Sequence, residues 1–196
     1  MIPRHLQIAC ALLLGGAVVL GLNIFRVKHN EEEVAREASY TRPVKPPVQG
    51  TPRSATLVIA YDEEGALRSQ SQTVVLPDEP SARDREVLRA LFAHYVERPS
   101  PHPLDPGSDV RDVYFVGGDL AVIDTTAAFA EGHRSGILVE SLTVVSIVET
   151  LAANHPGVTR VKILVDGRER DTLAGHADLM AIYDVRQVRN MVERVQ

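Results

Sequence analysis

The N-terminal part of the chain carries one uninterrupted run of apolar residues. Leu6–Phe25 contains twenty residues and no charged side chain. A helix of that length is about 30 Å long and matches the hydrocarbon core of a bilayer. We therefore predict a membrane-anchoring segment over residues 1–25, with Leu6–Phe25 as the transmembrane span. A cleaved secretory signal and a lipid anchor are alternatives, although Cys10 precedes most of the run.

The next segment, residues 26–53, is polar and rich in proline. Prolines at positions 43, 46, 47 and 52 prevent a regular helix there, so we predict a spacer that holds a globular head away from the membrane. Arg4 precedes the apolar run, whereas Arg26 and Lys28 follow it. Because positive charges lie on both sides, the positive-inside rule does not decide which side the head occupies.

From residue 54 onward, the pattern alternates between strand-like and helix-like periods. Thr56–Tyr61 and Gln72–Leu76 are short apolar and β-branched runs bounded by turn residues, and they predict two strands. A helix is predicted next, beginning with a capping box from Ser81 to Asp84. Its apolar face consists of residues at helical spacing, namely Val87, Leu88, Leu91, Phe92, Tyr95 and Val96.

The second half of the head begins with a predicted hairpin. Asp112–Val116 and Asp119–Asp124 flank the pair Gly117-Gly118, which is typical of a two-residue turn with positive φ. A second helix, with Ser135 as its candidate cap, is then predicted to run to about Asn154. Its apolar stripe consists of Leu138, Leu142, Val145, Val148 and Leu151.

A further pair of strands is predicted to complete the head. Arg160–Val165 is strand-like, and Asp166-Gly167 predicts a turn into a partner strand that ends near Leu173. The resulting order, β-β-α-β-β-α-β-β, predicts an α+β fold with two amphipathic helices packed on one face of a mixed β-sheet. We assign this domain to residues 54–182, which is long enough for a core of normal size.

The last residues, 183–196, predict a short amphipathic helix. Val185, Val188, Val192 and Val195 recur at heptad-like spacing. Two heptads are too short for an independent coiled coil. We therefore favour docking of this helix onto its own domain, with self-association or partner binding as the alternative.

Composition excludes several classes of function. The chain has 196 residues, of which 44% are hydrophobic, and a net charge of −5, so we expect no nucleic-acid partner. Tryptophan is absent and aromatic residues make up 5%, which disfavours stacking platforms for bases or sugars. With Cys10 as the only cysteine, neither an internal disulfide nor a cysteine-based zinc site is available.

The histidines show no metal-binding pattern. His133, His155 and His176 are widely spaced and lie beside glycine or proline in predicted turns. We expect surface or turn-capping roles for them. For His176 in particular, we expect a ring nitrogen bonded to a loop carbonyl.

No catalytic motif is recognisable either. Ser141 and Ser146 lie within a predicted helix, without the flanking glycines of a nucleophile elbow. Asp119 and Asp124 are predicted on opposite faces of a strand, so they do not form an acid–base pair. We therefore predict no catalytic, cofactor-binding or metal-binding residue, no cofactor and no enzymatic activity.

Four blocks of the head carry a recognisable pattern, namely Leu76-Pro77, Asp119–Asp124 with Phe129, Pro156–Gly167 and Thr172–Leu179. Together they resemble the GerMN domain, the sporulation and spore-germination domain of bacterial envelope proteins. The resemblance covers roughly residues 54–180, and its last block is the most specific. At one point the second helix departs from the family pattern, with Glu149-Thr150-Leu151 in place of an Asn-Thr-Leu-like run.

The resemblance implies an extracytoplasmic domain held by a membrane or lipid anchor, and an interaction or assembly role. Founding members of the family act in spore-coat and mother-cell channel assembly. We expect a single-pass envelope protein whose head, in the periplasm or at the cell surface, binds protein partners or itself through sheet edges and a helix-free face. Alternatives are a peptidoglycan-associated enzyme or glycan-binding domain, and a membrane adaptor that faces the cytoplasm.

Overall fold

The computed structural model describes residues 49–188. The predicted membrane span Leu6–Phe25, most of the predicted spacer, and Val192 and Val195 of the predicted C-terminal helix lie outside the described residues. The described elements are β1 (Thr51–Tyr61), β2 (Ala66–Leu76), α1 (Pro80–Val96), β3 (Val110–Val116), β4 (Leu120–Thr125), α2 (Ala127–Glu131), α3 (Ile137–Asn154), β5 (Arg160–Val165) and β6 (Tyr183–Asp184).

The predicted α+β fold and its order of strands and long helices are confirmed, with one short helix, α2, added. The strands form two sheets, however, and the expectation of a single sheet is wrong. β1 and β2 form a two-stranded antiparallel sheet, and β3-β4-β5-β6 form a four-stranded sheet in that order. The larger sheet is mixed, because β4 and β5 are parallel while its other two pairs are antiparallel.

The division into two sheets follows from how the outer edge of β1 is satisfied. β1 and β2 pair without interruption from Thr51↔Leu76 to Tyr61↔Ala66. On the opposite edge of β1, three backbone N–H groups donate to side chains of the long helices. These bonds run from Thr56 to Asn154 Oδ1 (3.0 Å), from Val58 to Thr150 Oγ1 (2.8 Å) and from Ala60 to Tyr95 Oη (2.9 Å). Because side chains already satisfy these donors, the described part of the chain provides no strand that extends the sheet beyond β1.

The turns of the larger sheet match the sequence in one place and differ in another. Gly117 and Gly118 have φ values of 63° and 86° and form the predicted hairpin turn. Asp166-Gly167 also forms a turn, but only two isolated bridges follow it, one between Val165 and Arg168 and one between Thr172 and Asp178. The predicted strand ending near Leu173 is therefore wrong, and β6 pairs with β5 instead. The reason is that three backbone donors just after Leu173 bind a buried carboxylate rather than a strand.

The helix starts differ from the predicted caps. Glu79 is the N-cap of α1, and its carboxylate accepts from the backbone N–H groups of Ser81 (3.0 Å) and Ala82 (2.6 Å). Pro80 occupies the first turn, where its fixed φ suits a helix and its missing N–H costs nothing. This start leaves no N-cap role for Ser81, so the predicted capping box is wrong. α3 begins after Gly136, and Ser135 is not its cap.

Both long helices bury their predicted apolar faces in one core. α1 packs against β1, β2 and β3, and α3 packs against α1 and the β1–β2 hairpin. Leu138 is the exception in the α3 stripe, because it is 48% exposed. Among the described residues, α3 is the one helix long and apolar enough to cross a membrane, but more than half of that window is buried inside the protein. Its hydropathy is that of a core helix.

The first residues of the predicted C-terminal helix also contact this core. A helical turn begins at Val185, and the carboxylate of Asp184 accepts from the backbone N–H groups of Arg186 (2.8 Å) and Gln187 (3.2 Å). Val185 and Val188 are buried and belong to the hydrophobic cluster. This part of the helix therefore packs on its own domain.

Candidate functional site at the start of the long apolar helix

Polar side chains from four loops converge on the first two turns of α3. Glu140 and Thr143 project from the helix and are fully buried. The β1–β2 turn contributes Asp62, the loop after α1 contributes His102, and the loop before α3 contributes His133. The fourth loop, residues 174–177, binds Glu140.

Glu140 fixes the 174–177 loop through backbone donors. Its Oε2 accepts from the N–H groups of Ala174 (3.0 Å), His176 (2.9 Å) and Ala177 (2.9 Å). Its Oε1 accepts from the N–H of Gly136 (3.0 Å) and lies 2.9 Å from Nδ1 of His176. One carboxylate therefore accepts hydrogen bonds from backbone N–H groups at the start of α3 and in a loop that is distant in sequence. These bonds stabilise its buried charge without a buried cation.

These bonds decide the charge state of Glu140. Burial by itself raises the pKa of the carboxyl, but the backbone donors of Gly136, Ala177 and Ala174 and the ring of His176 outweigh it and lower the pKa to about 2. Glu140 is therefore ionised throughout the physiological range. A carboxyl group that stays ionised cannot donate a proton near neutral pH, and its low pKa makes it a weak general base.

The second part of the cluster is a chain of buried hydrogen bonds. His102 Nδ1 lies 2.5 Å from Asp62 Oδ1, and its Nε2 lies 2.6 Å from Thr143 Oγ1. His133 Nε2 lies 2.8 Å from the same hydroxyl, and its Nδ1 lies 2.7 Å from the carbonyl of Arg134. Two imidazoles therefore meet at one hydroxyl group.

Counting protons in this chain defines its neutral state. A carbonyl or carboxylate accepts only, so Nδ1 carries the proton in both His102 and His133, and both Nε2 atoms must accept. Thr143 has one hydroxyl proton for two such nitrogens. Burial lowers the pKa of both rings, and for His102 the carboxylate of Asp62 opposes that effect. The carbonyl of Val139 competes for the same proton, so in the neutral state at least one ring nitrogen lacks a full hydrogen bond.

The order Asp62–His102–Thr143 has the connectivity of a catalytic triad, but its chemistry differs. The Thr143 hydroxyl also lies 2.9 Å from the carbonyl of Val139, and both Thr143 and His102 have no exposed surface. A nucleophile must reach a substrate carbonyl. These hydrogen bonds therefore connect three loops to α3.

The histidines singled out in the sequence occupy three different settings. His133 is 8% exposed, so the expected surface role is wrong, although its ring does bond the Arg134 carbonyl in a loop. His155 follows α3, and its Nδ1 lies 2.6 Å from Oδ2 of buried Asp84. His176 bonds the Glu140 carboxylate and not a loop carbonyl, because that carboxylate already holds its loop. Among the described residues, no three metal-ligating side chains converge.

The two carboxylates considered in the sequence analysis, Asp119 and Asp124, lie in different environments. Asp119 lies in the turn before β4 and forms an exposed ion pair with Arg160 at 2.9 Å. The bond to Arg160 lowers the pKa of Asp119. Asp124 is buried in β4, and its Oδ1 accepts from the N–H of Gly167 at 2.6 Å. The structure does not bring the two carboxylates together.

The serines of α3 serve packing. Ser146 Oγ lies 2.5 Å from the Tyr95 hydroxyl, and Ser141 donates to the carbonyl of Ile137 at 2.6 Å. Burial raises the pKa of Tyr95 to about 12, so its phenol stays protonated. Sequence reasoning missed this role, although Thr143, Ser146 and Thr150 share one face at helical spacing. A buried hydroxyl stripe on an apolar helix is the signal that could have found it.

A shallow cleft opens beside this cluster on the molecular surface. It is lined by Asp62, Arg134, Ile137, Leu138 and neighbouring residues of α3. Ile137 is 72% exposed and Leu138 is 48% exposed. Arg134 forms an ion pair with the second oxygen of Asp62 at the rim. The cleft therefore combines exposed apolar side chains with one charged pair.

Comparison with protein families identifies the domain. The family model described as Germane, sporulation and spore germination, matches residues 58–171, which is more than half of the chain. The chain belongs to this family. The match spans β1 to the loop after β5 and includes Glu140, Thr143 and the loops of His102 and His133. The resemblance predicted from the sequence blocks is thereby confirmed. No curated protein matches the chain at a significant level.

Solved structures with a similar fold include a protein of Clostridium perfringens provisionally described as a lipoprotein. It is 18% identical with a TM-score of 0.48, and the match covers 76% of this chain and 97% of that one. The tandem GerMN domains of the sporulation protein GerM from Bacillus subtilis are 17% identical with a TM-score of 0.45, covering 65% and 44%. The first GerMN domain of the same protein is 17% identical with a TM-score of 0.44, covering 64% and 92%.

Proposed function

We propose that this protein is a non-enzymatic interaction module of the bacterial cell envelope. The head would stand outside the cytoplasm on a single membrane anchor, Leu6–Phe25, and bind other proteins of the envelope. Membership of the sporulation and spore germination family supports an envelope role. The uncharged run of twenty residues and the proline-rich spacer support the anchor.

The observation that carries the proposal is the contrast between the buried cluster and the cleft beside it. Thr143 and His102, which resemble catalytic groups, are fully buried and bonded to each other. Ile137, 72% exposed, and Leu138 instead present apolar surface to solvent, next to the ion pair of Arg134. Apolar side chains surrounded by polar ones are typical of the centre of a protein–protein contact.

The proposal is tested by cross-linking the tagged full-length chain in envelopes of its host, with two matched variants. Ile137→Glu puts a charge into the cleft, and Val116→Glu makes the same change at a residue that is 54% exposed at the end of β3. We expect a cross-linked envelope protein that is lost several-fold with Ile137→Glu and retained with Val116→Glu. A cross-linking pattern that is the same in both variants would refute the role of the cleft.

Two further measurements separate the alternatives. Incubation of the purified protein with peptidoglycan sacculi should give neither released muropeptides nor co-sedimentation, and either result would favour a peptidoglycan-directed function instead. A reporter fused to the C-terminus, active only outside the cytoplasm, should be active. An inactive reporter would place the head in the cytoplasm and contradict the proposed location.

A further inference from the structure

The strand edges of the described domain differ sharply in how they are protected. The outer edge of β1 is satisfied by helix side chains. β6 is an edge of only two residues. β3 has an irregular register between Val110 and Asp112, with the charged Arg111 at the irregularity. Short strands, irregular register, charges and covering side chains are the devices by which proteins prevent edge-to-edge pairing.

β2 carries none of these devices except one charge, Arg68, near its first residue. It is eleven residues long, and its register with β1 is unbroken. From Ser69 to Leu76 it contains no charged residue and no proline. The side chains of Ser69, Ser71, Thr73 and Val75, which lie on one face of the strand, are exposed.

The backbone of β2 is available for pairing at alternate residues. In β1 the N–H groups of Thr56 and Val58 point to helices, so the neighbouring residues of β1 form the bonds to β2. Their partners in β2 have even numbers, for example Gln72 opposite residue 55. The odd-numbered residues of β2, with Ser71 at the centre, therefore direct their N–H and C=O groups away from β1. No other strand among the described residues pairs with them.

The sequence of β2 is complementary to itself over most of its length. In an antiparallel pair of two copies centred on Ser71, Leu67 lies opposite Val75, and Ser69 lies opposite Thr73. On the other face, Gln70 lies opposite Gln72, whereas Arg68 lies opposite Val74. Except for this last pair, these positions match apolar with apolar or polar with polar side chains. No like charges are opposed within the strand, and such an arrangement stabilises cross-strand pairs.

Neighbouring segments of the chain fit this edge less well. Residues 43–48 contain three prolines, which cannot donate to a strand ladder. Residues 189–196 contain three charges, at Arg189, Glu193 and Arg194. A second copy of β2 has neither defect.

We propose that two copies of this chain associate through their β2 strands, paired antiparallel about Ser71. The two hairpins then form one four-stranded antiparallel sheet. The inference rests on the proposed function as an interaction module and names one partner, a second copy of the chain. It uses a surface made by β2, not the cleft of Ile137, so the two contacts can be tested separately.

The first test is sedimentation equilibrium of the full-length chain in detergent, comparing the wild type with Ser71→Pro and Ser71→Thr. Proline removes an outward N–H from each copy but leaves the β1 ladder intact, because this N–H does not bond β1. Threonine keeps the N–H. We expect dimers of the wild type and of Ser71→Thr, and dissociation raised by roughly tenfold or more in Ser71→Pro. Equal association of all three would overturn the proposal, as would a monomeric wild type.

The second test is disulfide trapping, which does not depend on the proline variant folding. In a Cys10→Ser background, Ser71→Cys places two thiols at the two-fold axis. The Cα atoms of such a hydrogen-bonded pair are about 5.5 Å apart, within reach of a disulfide. The matched control is Ser54→Cys, at an exposed residue of β1. We expect mild oxidation to trap a dimer through residue 71 and not through residue 54.

The outcomes distinguish this proposal from the proposed function. Trapping through both positions, or through neither, overturns the β2 dimer. If the chain is monomeric but still cross-links an envelope protein through Ile137, the dimer is wrong and the interaction module stands. If an extended peptide of another protein binds β2 and Ser71→Pro weakens it, the edge has a different partner and the dimer is again wrong.

Discussion

Replacing Glu140 by glutamine tests how the fold holds the 174–177 loop. The glutamine side chain has nearly the same shape, but it loses the charge and turns one acceptor oxygen into an NH2 donor. Three backbone N–H groups and the ring of His176 currently point at the carboxylate, together with the N–H of Gly136. The variant therefore weakens several bonds at once without creating a cavity.

The magnitude follows from those bonds. Hydrogen bonds to a charged group contribute about 1.5–3 kcal/mol each, and neutral ones about 0.5–1.5 kcal/mol. Three retained backbone bonds thus lose about 1 kcal/mol each, and the N–H that faces the new NH2 group loses its acceptor at a further cost of about 1 kcal/mol or more. We expect the free energy of unfolding to fall by about 3–5 kcal/mol, which lowers Tm by about 6–20 °C.

The assay is urea unfolding of a fragment of residues 43–196, monitored by circular dichroism. The described residues of this fragment, 49–188, belong to one compact unit. Glu149→Gln makes the same chemical change in the same helix, at a half-buried residue, and should cost less than Glu140→Gln. Hydrogen exchange adds a local readout, because the amides of Ala174 and Ala177 should exchange faster only in Glu140→Gln. Equal costs for the two variants, with those amides still protected, would refute the role assigned to Glu140.

Three further changes test other parts of the fold. Thr150→Val removes the acceptor of the buried Val58 N–H and should cost about 1–3 kcal/mol in urea unfolding; a cost near zero would show that β1 does not depend on this bond. Because burial lowers the pKa of His102 and His133, the unfolded chain binds protons more readily, so stability should fall as the pH drops below about 6.5. Melting curves that do not change between pH 7 and 5 would contradict this. Gly118→Ala should cost about 1–2 kcal/mol, because φ is 86° and nothing else is within 4 Å of the added Cβ.

Glu140 contributes to the pH dependence of stability in a more acidic range than the two histidines. Its folded-state pKa is lowered to about 2, so its contribution to stability is complete above the ordinary glutamate pKa. That contribution is lost as the pH falls through about 2. Glu140→Gln should therefore flatten the acid limb of the stability curve.

Sequence periodicity predicted the parts of the fold that depend on local pattern. The apolar faces of α1 and α3, the Gly117-Gly118 turn and the bounds of β5 all follow from residues within one element. β2 extends to Ala66, beyond its predicted start, because its polar first half is a strand only through pairing with β1. Such pairing is set by a neighbour and not by the strand's own composition.

The candidate site shows the same limit more strongly. Nothing near Glu140 in the sequence indicates that its acceptors serve residues 174–177, since those donors arrive from a loop more than thirty residues away. The wrong strand prediction near Leu173 has the same origin. The turn predicted at Asp166-Gly167 is correct, but the conformation of residues 174–177 is set by hydrogen bonds to the distant carboxylate of Glu140.

The helix cover on the outer edge of β1 has a consequence for the size of any assembly. A sheet with two open edges can add strands without limit and grow into a fibre. In this hairpin, Thr150 and Asn154 occupy the donors of one edge, so growth can proceed from the β2 side alone. Two copies that meet there leave only covered edges facing outward, and association stops at two.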